Sequence, residues 1–142
     1  MLIVELWLRE IDQTRTVLVS MARRPLAPCP ASPNCVSTVA PPEDSRHAIA
    51  PYLYRTSRAE AKEVLKTTVG GLPRTKLIEE DDTYLHYECT SLFLRFVDDV
   101  EFVFDDKAKL IHFRSASRIG YGDLGVNRRR MEDIRSRLAG RL

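Results

Sequence analysis

Leu110-Ile-His-Phe-Arg-Ser-Ala-Ser-Arg-Ile-Gly-Tyr-Gly-Asp-Leu-Gly-Val-Asn-Arg-Arg-Arg130 reads as a strand, a turn punctuated by glycines and the start of a helix. Over Leu110–Ser117 the side chains alternate. Ile111, Phe113, Ser115 and Ser117 share one face; His112, Arg114 and Ala116 share the other, and Arg118 continues that row. Gly120, Gly122 and Gly125 permit tight turns. Asp123 or Asn127 then suits the N-cap of a helix over about 127–139. Its Met131, Ile134 and Leu138 recur at helical spacing, and Glu132–Arg135 and Asp133–Arg137 are spaced as surface pairs.

Upstream, β-rich runs repeat the alternation at Lys76–Glu80, Tyr84–Thr90, Phe93–Val97 and Val100–Phe104. Asp81-Asp82-Thr83, Asp98-Asp99 and Asp105-Asp106-Lys107 fall between runs as turns. Such short connections predict antiparallel neighbours. Ser57-Arg-Ala-Glu60 has the capping-box spacing and opens a helix with Ala61, Val64, Leu65 and Thr68 on its apolar face; Gly70-Gly71 and Pro73 end it. The expected fold is therefore α+β: a single antiparallel sheet of about four to five strands with flanking helices. The helices take one sheet face. The other is solvated, covered or used.

Residues 25–51 hold seven of the eight prolines. Proline fixes φ and removes a donor, which excludes a regular helix or a central strand. This stretch reads as an extended proline-rich arm ahead of a compact domain over 52–142, with the boundary near Pro51. Residues 1–24 carry Val4, Trp7, Leu8, Ile11, Leu18 and Met21 at helical spacing, which predicts an amphipathic segment packed on the domain or offered to a partner or membrane.

The chain has 142 residues, 44% apolar and 30% charged, with a net charge of +2. That is one ordinary globular domain, without the charge excess of a protein that coats nucleic acid. The charge is uneven: residues 114–142 carry eight arginines, no lysine and three acids. One electropositive end is expected. No apolar run is long enough to span a bilayer, and the start lacks the pattern of a secretion signal, so the chain reads as soluble, with the cytoplasm favoured.

Three long motifs carry a resemblance: Cys29-Pro-Ala-Ser-Pro-Asn-Cys-Val-Ser37, Phe96-Val-Asp-Asp-Val-Glu-Phe102, and Arg114-Ser-Ala-Ser-Arg-Ile-Gly120 with Asp123-Leu-Gly-Val-Asn-Arg128. Over about 26–140 the chain resembles the bacterial and plant domain-of-unknown-function family numbered 1499. Many relatives carry a lipoprotein signal, membrane anchor or plastid-targeting segment that has no counterpart here. The resemblance implies motif positions at Cys29, Asn34, Cys35, Asp98, Asp99, Glu101, Arg114, Ser115, Ser117, Arg118, Asp123, Asn127 and Arg128. It implies no reaction.

The residues themselves discount several chemistries. Cys29 and Cys35 do not have zinc spacing, and His47, His86 and His112 are scattered; the pair either closes a small loop as a disulfide or stays as thiols, with a metal or redox role as the minor alternative. Cys89 sits among apolar neighbours as a small core residue. No phosphate loop, nucleophile elbow or zinc-protease motif occurs. Tyr84, Tyr87, Phe93, Phe96, Phe102, Phe104 and Phe113 alternate as core residues do, rather than among the arginines as a base-stacking platform, which argues against nucleic acid.

Asp98-Asp99 reads first as a turn or as ion-pair partners of Arg114 or Arg118, and after that as a ligand contact or metal site. Arg128, Arg129 and Arg130 add positive charge at a helix N-terminus, where the dipole disfavours it. Either Asp98, Asp99, Glu101 and Asp123 neutralise the arginines inside the fold, or an external anion does.

The leading expectation is a non-enzymatic module that needs no cofactor or metal and has no catalytic residue. It holds an anionic small molecule, an anionic lipid surface or an acidic protein through Asp98, Asp99, Arg114, Ser115, Ser117, Arg118, Asp123, Asn127 and Arg128. One alternative is an acid/base enzyme using Asp98 or Asp99 with His112 and the arginines. Another is an assembly protein acting through residues 1–24.

Overall fold

The computed structural model describes residues 25–142. The amphipathic segment expected over 1–24 lies outside the described residues. Six strands and two helices follow in the order β1 (Cys35–Ser37), β2 (Tyr52–Leu53), α1 (Arg58–Gly70), β3 (Thr75–Glu80), β4 (Tyr84–Thr90), β5 (Val97–Asp105), β6 (Leu110–Ser117) and α2 (Val126–Leu138). The strands form one sheet, ordered β1-β6-β5-β4-β3, with β2 also on β6. Every strand pair is antiparallel. This is the expected α+β class.

Alternation decides which side of the sheet holds the core. Leu85 and Tyr87 of β4, Val100, Phe102 and Phe104 of β5, and Ile111 and Phe113 of β6 all point to one face. Ala61, Leu65 and Val69 of α1 and Met131, Ile134 and Leu138 of α2 cover them. Burying each such large side chain contributes about 1.5–3 kcal/mol. Tyr52 stacks on Phe113 at 4.5 Å and donates its hydroxyl to the Met131 carbonyl at 2.7 Å, joining sheet to helix. Helix α1 starts where Ser57 Oγ accepts the Glu60 N–H at 3.2 Å.

The proline-rich stretch lies along the sheet edge. It supplies β1 and the buried Val36 and Ile49 to the same core, so it shares one sheet with residues 52–142. Cys29 and Cys35 are joined by a disulfide, with a Cα–Cα distance of 5.7 Å. Asp44 and the Ser32 carbonyl hold His47 at 2.6 and 2.9 Å. At the opposite edge, β3 changes register between Leu77 and Glu79, a bulge on the outermost long strand.

Two local expectations fail here. Phe93–Val97 is not a strand, and Asp98-Asp99 is not a turn. Residues 91–96 form the β4–β5 loop, closed by Ser91 N–H to the Phe96 carbonyl at 2.8 Å and Phe96 N–H to Ser91 Oγ at 2.9 Å. Arg95 sits there at φ 55°. Phe93 and Phe96 are therefore surface residues, not core. Asp98 and Asp99 lie inside β5 because each finds an arginine on its own face.

Candidate functional site

On the helix side of the sheet, a buried polar cluster ties β5 and β6 to α2. Arg130 Nη2 donates to Asp98 Oδ2 at 2.6 Å, and its Nη1 donates to Ser115 Oγ at 3.1 Å and Asn127 Oδ1 at 2.9 Å. The Ser115 hydroxyl donates to Asn127 Oδ1 at 2.6 Å. Asn127 Nδ2 reaches the Asn34 carbonyl, Ser117 Oγ and Asp123 Oδ2. Asn34 Nδ2 in turn donates to the Gly120 carbonyl at 2.8 Å. Ser115 and Asn127 are fully buried, and every bond they need is made inside the molecule.

Asp123 serves α2 as a cap from just outside the helix. Gly125 is the N-cap residue in the left-handed region, at φ 77°. Asp123 accepts the Gly125 N–H at 2.8 Å and the Asn127 N–H at 3.0 Å. Burial pulls the Asp123 carboxyl up, but these donors outweigh it and leave the group below its ordinary value.

The helix-free face carries an ion-pair ladder. Arg118 grips Asp99 through Nε and Nη2, both at 2.8 Å, and also pairs with Glu88. His86 Nε2 lies 2.8 Å from Asp99 Oδ1. The Arg118 guanidinium, opposed by burial and helped by His86, holds the Asp99 carboxyl below its ordinary range. Next along, Arg114 stands 3.9 Å from Glu101, which accepts the Tyr84 hydroxyl at 2.7 Å. The Arg114 Nε is buried without a hydrogen-bond partner. His112 faces Thr38 Oγ1 at 3.2 Å, and burial lowers its pKa.

The expected site residues thus separate into two groups. Asp98, Ser115, Ser117, Asp123 and Asn127 belong to the buried helix-side cluster. Asp99, Arg114 and Arg118 belong to the half-buried ladder on the other face, where Arg114 also donates to the Pro28 carbonyl of the arm. Asp98 lies on the opposite face from His112. Asp99, although on the same face, pairs with Ala116 while His112 pairs with Val103 four residues further along β5, so neither aspartate converges with His112. Among the described residues, no three His, Cys, Asp or Glu side chains stand close enough to hold a metal ion.

Arg128 belongs to neither group. It lines a hollow of about 440 Å³ between the arm and the start of α2, together with Pro33, Val36, Arg46, Asp123 and Arg129. Arg128 Nη2 donates to the Ala48 carbonyl at 3.0 Å, Arg129 Nη1 to the Leu124 carbonyl at 2.6 Å and Arg46 Nη1 to the Ala31 carbonyl at 3.5 Å. None of the three makes an ion pair among the described residues. Each guanidinium has five N–H donors, more than these carbonyls use, while most of the wall of the hollow itself is apolar. Sequence reasoning missed Arg46, because nothing in Glu43-Asp-Ser-Arg-His47 signals that the arm folds back beside α2.

The molecule is a small α+β sheet domain, with helices on one face, an ion-paired ladder on the other and an arginine-lined hollow at one end. The chain belongs to the protein family of unknown function DUF1499, whose model matches residues 25–138, from the start of the arm to the end of α2. No curated protein and no solved structure matches it. Among the described residues, no helix is long and apolar enough to cross a membrane.

Proposed function

We propose that this domain is a non-enzymatic binding module that takes an anionic group, a phosphate or a carboxylate, into the hollow formed by Arg46, Arg128 and Arg129. One observation carries the reading: Arg46, Arg128 and Arg129 all line one hollow, and the hydrogen-bond partners of their guanidinium groups are backbone carbonyls rather than carboxylates. Arg114, Arg118 and Arg130 are different, since each already faces an acid within the fold. Two of the three hollow arginines also sit in the first turn of α2, where the helix dipole makes cations unfavourable until an anion arrives. The acidic side chains argue for binding over catalysis: Asp98 and Asp99 are held by arginines away from the hollow, and Asp123, which lines it, is already engaged by the Gly125 and Asn127 N–H groups and the Asn127 amide.

The test is a thermal-shift titration with inorganic phosphate against chloride at matched ionic strength. Phosphate should raise the midpoint of the wild-type chain and leave an Arg128→Ala/Arg129→Ala variant unmoved. An equal response in both would remove the hollow as the site.

A further inference from the structure

The two loops at this end of the sheet carry exposed apolar side chains. In the β4–β5 loop, Leu92 is 55% exposed, Phe93 88% and Leu94 69%. In the β6–α2 turn, Ile119 is 57% exposed, Tyr121 70% and Leu124 92%. The loops are neighbours: Thr90 pairs with Val97 at the base of one, and Arg118 N–H at the base of the other donates to the Val97 carbonyl at 3.0 Å. A folded domain rarely shows water six large apolar side chains on two neighbouring loops unless they have a use.

The charge around this patch is mainly positive: the two loops carry one acid, Asp123, whose carboxylate is engaged by N–H groups of α2. Arg74 donates to the Thr90 carbonyl at the same end, and Arg95 lies within the first loop. With Arg46, Arg128 and Arg129 they make five arginines, none ion-paired among the described residues. At the other end of the sheet, the β3–β4 turn carries Asp81 and Asp82, and the β5–β6 connection carries Asp106 with Lys107 and Lys109. The exposed apolar side chains and the unpaired arginines thus share one end of the strands, and the far end carries mixed charge.

We infer that this end docks on an anionic lipid bilayer, with the 91–96 and 119–125 loops entering the headgroup boundary and the arginines meeting lipid phosphates. Apolar tips ringed by cations match the interface of such a membrane, which offers a wet anionic layer over an oily one. Four of the six, Leu92, Leu94, Ile119 and Leu124, have no ring to stack on a base, and Phe93 and Tyr121 stand alone among them rather than in a stacking row, so the patch suits acyl chains better than nucleic acid. The hollow would take one lipid headgroup. In that respect the inference rests on the proposed anion site and adds the source of the anion; the apolar loops are independent of it.

The experiment is vesicle flotation of the full chain, using phosphatidylglycerol-containing and pure phosphatidylcholine vesicles, with the phosphate thermal shift run in parallel. Wild type should float with the anionic vesicles and not with the neutral ones. A Phe93→Ser/Leu94→Ser variant should lose roughly tenfold or more in partitioning while keeping its phosphate response. Arg128→Ala/Arg129→Ala should lose both. If wild type responds to phosphate but floats with neither vesicle, the bilayer inference is overturned and the hollow remains a site for a free anion. Loop variants that float like wild type would also overturn it. So would sedimentation showing a wild-type dimer that the loop substitutions dissociate, since the patch would then cover a second copy.

Discussion

Arg118 holds Asp99 by two parallel hydrogen bonds of 2.8 Å from a position just past the end of β6, while Asp99 also contacts His86. The arginine that heads the glycine-rich turn is therefore committed to the ladder, and the strand and turn are clamped where the chain leaves the sheet.

Arg118→Ala should lower the thermal midpoint and leave the phosphate response of the hollow intact. The pair also sets a pH dependence. Asp99 titrates below the ordinary 3.8 when folded, so its contribution is complete above that value and is lost as pH falls through the depressed one. Melting curves of wild type and variant should differ near neutrality and converge in acid.

Asp98 and Arg130 form the more protected pair, their side chains being 8% and 16% exposed. Removing one partner strands the other charge beside Ser115 and Asn127. Asp98→Ala should cost about 3–5 kcal/mol in urea unfolding. The double variant with Arg130→Ala should cost clearly less than the sum of the two single ones.

Breaking the Cys29–Cys35 bond frees a short loop that includes Pro33 and Asn34. For a loop of this length the chain-entropy effect is about 2 kcal/mol. Reduction should lower the midpoint by roughly 6–10 °C. Pro33 lines the hollow, so the phosphate response should weaken in reductant as well.

His47 pins the arm with the opposite sign of pH dependence. Its hydrogen bond to the Ser32 carbonyl, and then Asp44, raise its pKa above the ordinary 6.5. This contribution is full below 6.5 and is lost as pH rises through the raised value. Amide exchange over residues 31–48, corrected for intrinsic rate, should speed up across that window in wild type, and should show no such step in His47→Gln.

Gly125 sits at φ 77°, and an added Cβ would lie 3.1 Å from Arg129 Nη1. Gly125→Ala should cost about 1 kcal/mol by chemical denaturation. It should also weaken the phosphate response by displacing Arg129.

Much of this fold is legible in the chain because its signals are local. The alternation over Tyr84–Thr90 and Leu110–Ser117 marks strands, and the Ser57 cap and the 131–134–138 spacing mark helices. Asp98-Asp99 misleads because its local preference is for turns. The arginines that keep it extended lie 32 and 19 residues away in sequence. Phe93 and Phe96 mislead in the reverse way: alternation around them suggests a strand, but Ser91 closes a loop beneath them. Arg114, Ser115, Ser117, Arg118 and Asn127 stand out in the sequence, and the fold uses them internally. Arg46 joins Arg128 only through tertiary folding of the arm, and no local pattern announces that.

The β3 bulge between Leu77 and Glu79 bears on how copies of this chain meet in a crowded compartment. A straight strand from a neighbour cannot stay in step along that rim, and the rim across from it offers only the three residues of β1 and the two of β2. Growth by sheet extension, the first step toward fibres, is thus disfavoured on both flanks.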